Sequence, residues 1–146
     1  MSLKTSHVGI NVTELSRSVA FYETVLGLTS GGERTHEGLR FAMLGRDGQL
    51  VVTLWQQSTG TFAADRPGLH HLAFEVPDRE AVEAVAALVE DAGGAFVHDG
   101  VVRHGEHGHS GGIFFTDPDG TRLEVSTSDV GDAPVPVSGA PTCGFF

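Results

Sequence analysis

His71-Leu72-Ala73-Phe74-Glu75-Val76 repeats the plan of an earlier stretch, His7-Val8-Gly9-Ile10-Asn11-Val12, and each copy runs into a polar turn and then a helical stretch. The repetition decides the fold, because both histidines fall on the same register of it. In a strand, side chains alternate between faces. Val8, Ile10 and Val12 therefore form one apolar side, and His7, Gly9 and Asn11 the other. Leu72, Phe74 and Val76 repeat the apolar side, with His71, Ala73 and Glu75 opposite.

Outward from these strands the two halves keep the same order. Thr13 is the expected N-cap of a helix whose apolar stripe is Leu15, Val19, Tyr22 and Leu26, with Gly27 ending it. Between Thr29 and Gln56, breakers at Gly31-Gly32, Gly38 and Asp47-Gly48 separate three apolar stretches, read as three strands with a hairpin turn at Asp47-Gly48. In the second half Asp78 caps a helix with the stripe Ala81, Val85, Leu88 and Ala92, stopped by Gly93-Gly94. Strands follow at 95–99, 113–116 and 121–126, with Asp117-Pro118-Asp119-Gly120 as the last turn. The expected class is α+β: two βαβββ modules, about 5–56 and 69–126, in one domain spanning 5–126. Residues 127–146 read as an extended tail rich in Pro, Gly and Ser, with apolar Phe145-Phe146 at its tip.

Bulk properties narrow the chemistry. At 146 residues and 15.4 kDa the chain is one domain's worth of protein, and no apolar run approaches the roughly 20 residues of a membrane-spanning helix. A formal charge of -10, with Lys4 the only lysine, speaks against binding nucleic acid, which relies on clustered cations. The single cysteine, Cys143, excludes an internal disulfide and a zinc-thiolate cluster. With no basic-then-apolar leader at the start, a cytoplasmic protein is expected.

One constellation carries chemistry. Leu123 and Val125 are the apolar side of the final strand, so Arg122, Glu124 and Ser126 face the other way. If the helices cover one side of the sheet, His7, His71 and Glu124 share the opposite side. Two imidazoles and a carboxylate, with positions left for water or substrate, suit non-haem Fe(II) and also Mn, Zn or Ni. His70 is in phase with Leu72 and has no counterpart in the first copy, so His71 is preferred. Asn11, Glu75 or a backbone carbonyl would accept from the ligands' other ring nitrogens. Aligning Asp47-Gly48 with Asp119-Gly120 sets Val52 opposite Glu124, so no fourth carboxylate is expected, although Gln56 lies four residues on. Among Arg103, His104, Glu106, His107 and His109, His104 is the first choice for an acid-base group. Tyr22 and Trp55 are expected in the core.

The chain resembles the vicinal oxygen chelate superfamily, which includes glyoxalase I, fosfomycin-resistance thiol transferases, type I extradiol dioxygenases, methylmalonyl-CoA epimerase and bleomycin-binding proteins. The likeness rests on the two opening strands, on Ser18-Val19-Ala20-Phe21-Tyr22 running to Leu26-Gly27-Leu28, and on Phe115-Thr116-Asp117-Pro118-Asp119-Gly120 through Leu123-Glu124. It implies a cup-shaped mixed sheet, a homodimer, and a divalent metal held by His7, His71 and Glu124 that chelates adjacent substrate oxygens. Val52 at the fourth position counts against the four-ligand pattern of glyoxalase I and the epimerase. Extradiol enzymes and fosfomycin transferases use two histidines and a glutamate, which fits. Phe114 stands where extradiol enzymes carry a tyrosine, and their acid-base histidine falls near His104. A fosfomycin-type site would want more cations than Arg122 and Arg103.

The resemblance therefore implies a metal-dependent enzyme acting on a small oxygenated molecule, with dioxygenase-like chemistry ahead of glyoxalase- or transferase-like chemistry. Asn11, Glu75, Arg122 and Phe114 are the expected substrate contacts. The alternative is a metal-free, drug-sequestering resistance protein.

Overall fold

The computed structural model describes residues 1–136, 139 and 146, so Cys143 and Phe145 lie outside the described residues. The chain divides into two compact units, 1–61 and 62–146.

The first unit runs β1 (Val8–Val12), α1 (Leu15–Leu26), β2 (Thr29–His36), β3 (Leu39–Arg46) and β4 (Gln49–Gln56). Its sheet has the order β1-β4-β3-β2, with β1 parallel to β4 and the other pairs antiparallel. The expected parity holds: Ile10 and Val12 are buried with Leu44, Val52 and Leu54 of the neighbouring strands, while His7, Gly9 and Asn11 are exposed. Helix α1 packs on β2, β3 and β4 through Leu15, Phe21, Tyr22, Val25 and Leu26. Each such side chain contributes roughly 1.5–3 kcal/mol by leaving water.

The cap of α1 differs from expectation by one residue. Glu14, not Thr13, is the N-cap: its carboxylate accepts from the backbone N–H groups of Ser16 (3.1 Å) and Arg17 (2.7 Å). The Thr13 hydroxyl instead accepts from the Arg17 guanidinium at 2.9 Å. Gly27 ends the helix in the left-handed region as expected, at φ 60°. Asp47 and Gly48 both have positive φ, 52° and 75°, the backbone of a type I′ hairpin turn. Tyr22 is in the core, but Trp55 is only half-buried and stacks on Phe41 at 4.8 Å between ring centroids.

The second unit runs β5 (Leu72–Glu75), α2 (Arg79–Val89), β6 (Ala95–Phe96), β7 (Val102–Arg103), β8 (Gly111–Thr116) and β9 (Arg122–Thr127). Its sheet has the order β5-β9-β8-β6, with β7 also paired to β8. One long strand is thus replaced by two short ones, and the α+β class stands, with two mixed sheets and two helices among the described residues. Ile113, Phe115, Leu123 and Val125 are buried on one side, and α2 packs on β8 and β9. Asp78 caps α2 by accepting from Ala81 N–H at 2.9 Å, as expected. The buried stripe is rotated from the expected one: Val82 and Val89 are buried, whereas Leu88 is exposed.

The turn before β9 is held by a buried carboxylate. Asp117 Oδ1 accepts from Asp119 N–H (2.9 Å) and Thr121 N–H (2.8 Å), the local bonding that makes aspartate a turn residue. The segment read as the start of a tail packs closely. Val130 and Ala133 are buried, Val130 N–H donates to His109 O at 2.7 Å, and Arg103 N–H donates to Pro134 O at 2.8 Å. Among the described residues no helix is long and apolar enough to cross a membrane.

Candidate functional site

The site starts from β9. Strand alternation puts Glu124 on the side away from Leu123 and Val125, between Ala73 of β5 and Phe114 of β8. Its carboxylate is nonetheless buried, with only 3% of the residue exposed. A carboxylate taken out of water costs several kcal/mol unless charge or hydrogen bonds answer it. Two imidazoles do so here. His104 Nε2 lies 2.6 Å from Glu124 Oε1, and His71 Nε2 lies 3.4 Å from Glu124 Oε2.

The broken strand delivers His104. Its backbone N–H donates to Ser110 O at 2.9 Å, closing the 104–110 loop between β7 and β8, and its Nδ1 lies 3.2 Å from the Ser110 hydroxyl. A carboxylate in its ionised form can only accept, so the His104 tautomer that answers it is the one with the proton on Nε2. Buried Phe114 backs the ring edge-on, at 6.0 Å and 77°. Arg103 is drawn away from this chemistry: its Nε donates to Ala133 O at 2.7 Å. His109 Nδ1 lies 3.4 Å from Gly131 O, and Glu106 and His107 are exposed.

His71 sits just before β5, and the residue passed over in the sequence reading holds it. The Nδ1 atoms of His70 and His71 are 2.8 Å apart, so one ring donates and the other accepts. When His71 donates from Nδ1, its Nε2 presents a lone pair toward Glu124 Oε2, and two acceptors then face each other across 3.4 Å. A cation between them would suit that arrangement, as would a proton on Nε2. The spacing also fits, because adjacent donors with bonds of about 2.1 Å to one divalent ion stand roughly 3.0–3.4 Å apart. Among the described residues, no group of three or more His, Cys, Asp or Glu side chains is placed to hold a metal ion.

The other expected residues fall as follows. Arg122 lies on β9, its guanidinium carbon 5.3 Å from the centroid of the Phe146 ring. Glu75 is exposed on β5 and lines, with His104, Ala73, Ser110 and Ser126, a cleft of ≈ 420 Å³. His7 and Asn11 belong to the first unit, on the side of β1 away from the helix. His7 Nδ1 is 3.2 Å from the Ser6 hydroxyl, and Asn11 Oδ1 accepts from Gln57 Nε2 at 2.7 Å. A hollow of ≈ 480 Å³ at the Asp47-Gly48 end of the first unit is lined by none of these residues.

Pairing registers correct one equivalence. Gly9, two residues after His7, pairs with Thr53; Ala73, two after His71, pairs with Glu124. The counterpart of Glu124 is therefore Thr53, not Val52. The cause is a β-bulge: Leu44 pairs with Val52 and Gly45 with Leu50, leaving Val51 as an extra residue. No matching slip interrupts β8 and β9. The absence of a fourth carboxylate holds under either numbering, and Thr53 accepts from Trp55 Nε1 at 3.2 Å.

Residues 4–125 match the family model described as the Glyoxalase/Bleomycin resistance protein/Dioxygenase superfamily. A catechol-2,3-dioxygenase of Bacillus subtilis (strain 168) is 28% identical over 130 residues, covering 82% of this chain and 41% of the dioxygenase. The chain thus spans well under half the length of that relative. The uncharacterized protein YaeR of Escherichia coli (strain K12) is 32% identical over 124 residues, covering 82% of this chain and 92% of YaeR. Among solved structures, a glyoxylase/bleomycin resistance protein/dioxygenase domain from Frankia sp. EAN1pec superposes with a TM-score of 0.75 at 25% identity, covering 90% of this chain and 96% of that one. The fosfomycin resistance protein FosX of Listeria monocytogenes, complexed with Mn(II) and sulfate, superposes at 0.62 with 16% identity, covering 89% and 96%, a likeness of fold.

Proposed function

Because the chain belongs to the glyoxalase/bleomycin resistance protein/dioxygenase superfamily, we propose that it is a metal-dependent enzyme acting on a small oxygenated organic molecule, dioxygenase-like in preference to glyoxalase- or thiol-transferase-like. The observation that carries this reading is the buried Glu124 carboxylate flanked by His71 and His104. Glu124 and His71 would hold the ion, and the sequence repeat offers His7 as the third ligand. When bound, a divalent ion (Fe, Mn, Zn or Ni) supplies Lewis-acid stabilisation of charge developing on adjacent substrate oxygens.

The chain's own groups do the rest. His104 holds a proton at Nε2 and exchanges it with substrate, while Ser110 at Nδ1 fixes the ring's orientation. Phe114 keeps water from the back of that imidazole. Glu75, Arg122, Asn11 and Phe114 are proposed substrate contacts. The preference for dioxygenase-like chemistry is supported by Thr53 at the fourth position and by the likeness to the Bacillus dioxygenase. We further propose a cytoplasmic homodimer.

A metal-free drug-sequestering protein would have no use for a buried carboxylate between two imidazoles, an arrangement expensive to keep without a cation or proton to share.

Elemental analysis of protein supplemented with divalent metals and then desalted tests the reading, with about one ion per chain expected. Glu124→Ala and His71→Ala should each weaken binding beyond the ~10–100-fold typical of changes around a metal's ligands. His104→Ala should keep the ion and slow oxygen uptake with catechols about 10²–10⁴-fold. Unchanged metal content in Glu124→Ala would sink the proposal.

A further inference from the structure

The ring of Phe146 is seated beside this site, and its surroundings are those of a bound aromatic ligand. Its centroid is 5.4 Å from that of His71, tilted by 33°, and 5.4 Å from that of Phe114, edge-on at 73°. His70 meets it edge-on at 6.1 Å. The Arg122 guanidinium lies over its face, 5.3 Å from the centroid. Beneath it, Val102 and Phe114 form a buried apolar floor. Aromatic pairs favour tilted or edge-to-face contacts at about 4.5–7 Å, and a cation favours the ring face within about 6 Å. Groups from β8, β9 and the stretch before β5 all meet these preferences around one ring, and β7 adds apolar Val102.

The place also adjoins the reactive groups, since His71, which touches the ring, has its Nε2 3.4 Å from Glu124 Oε2. We infer that these walls form an aromatic-ring subsite and that Phe146 is its built-in occupant, an intramolecular competitor that an incoming planar ring displaces. The inference deepens the reading above, because it takes the His71–Glu124 pair as the site. The ligand favoured is a single aromatic ring bearing an anionic group, for which Arg122 supplies both the cation over the ring face and a charge partner. A tethered ring competes at high effective concentration. If it fills the subsite about 80–90% of the time, the apparent affinity for an external ring falls about 5–10-fold, in proportion to the vacant fraction.

The test uses the metal-free 146-residue chain, so that it does not depend on the ion. Benzoate is titrated into the wild type and Phe146→Ala while the His71 ring protons are followed by NMR, with cyclohexanecarboxylate as the probe of equal charge lacking a π-face. Phe146→Ala should shift the His71 ring protons before any ligand is added, through loss of the neighbouring ring current. It should also bind benzoate about 5–10-fold more tightly than the wild type and gain less than twofold for cyclohexanecarboxylate. Equal or weaker benzoate binding overturns the proposal, weaker binding making Phe146 a wall of the site. Equal gains for both probes, or no binding to either protein, overturn it as well. Failure of the metal reading registers separately, as missing ion in the elemental analysis.

Discussion

Thr53 on β4 and Glu124 on β9 occupy the same place in the two halves, each opposite the residue two beyond the repeated histidine. In the first unit that position carries a hydroxyl tied to the neighbouring Trp55, on a strand joined to its partner by a tight two-residue hairpin. In the second it carries a buried carboxylate, and the long β2 of the first unit has its counterpart in two short pieces, β6 and β7. The break matters chemically, because the loop that leaves β7 brings His104 to Glu124. Duplication supplied the frame twice. A glutamate in place of threonine and an interrupted strand, both confined to one copy, bring Glu124 and His104 together.

The contrast can be tested by erasing it. Glu124→Thr writes the first unit's residue into the second, and its ion affinity, read by competition with a chromophoric chelator, should fall more than ~100-fold, beyond the effect of changes around a metal's ligands. Thr53→Val in the first unit should leave ion content untouched and cost about 1 kcal/mol through the lost acceptor of Trp55 Nε1. Equal effects of the two changes would mean that the halves are not chemically distinct. The turns should differ next. Asp117→Ala strands two backbone N–H groups and should cost about 3 kcal/mol in urea unfolding, against about 1 kcal/mol for Asp47→Ala at its left-handed position.

The smallest effect belongs to Glu33, whose pKa is lowered by hydrogen bonds from Ser16 and then Arg40. A carboxyl with a depressed folded pKa stabilises fully above its ordinary value, and that contribution fades as pH falls through the folded value. Glu33→Gln should therefore cost below about 1 kcal/mol at neutral pH, as exposed ion pairs do, and the difference from wild type should vanish in acid. A difference that grew on acidification would reverse the assignment.

Much of this was legible in the sequence because strand parity is robust. The faces of β1 and β9, the caps at Asp78 and Gly27, and the Asp47-Gly48 turn follow from residue type and spacing. Three of the departures are shifts of one residue, each with its own local cause. Glu14 displaces Thr13 as cap because its longer side chain reaches two N–H groups, which propensity alone does not reveal. Val51 bulges out of β4 with no marker in composition, so counting forward from the turn reached Val52 instead of Thr53. On α2 a rotation of one residue buries Val82 and Val89 and exposes Leu88, since an Ala- and Val-rich helix offers two nearly equal apolar stripes. Phase with Leu72 argues against His70, yet His70 and His71 both precede β5, where alternation no longer says which way a side chain points.

The stretch 129–134 clasps both flanks of the loop that carries His104. Val130 takes one side at His109, while Ala133 and Pro134 take the other at Arg103. A shortened protein ending with the final strand at Thr127 would keep every proposed metal ligand and still lose the brace on the loop of His104. The useful boundary for expressing or grafting the second half therefore lies beyond Pro134, several residues past the point where the sheet itself is complete.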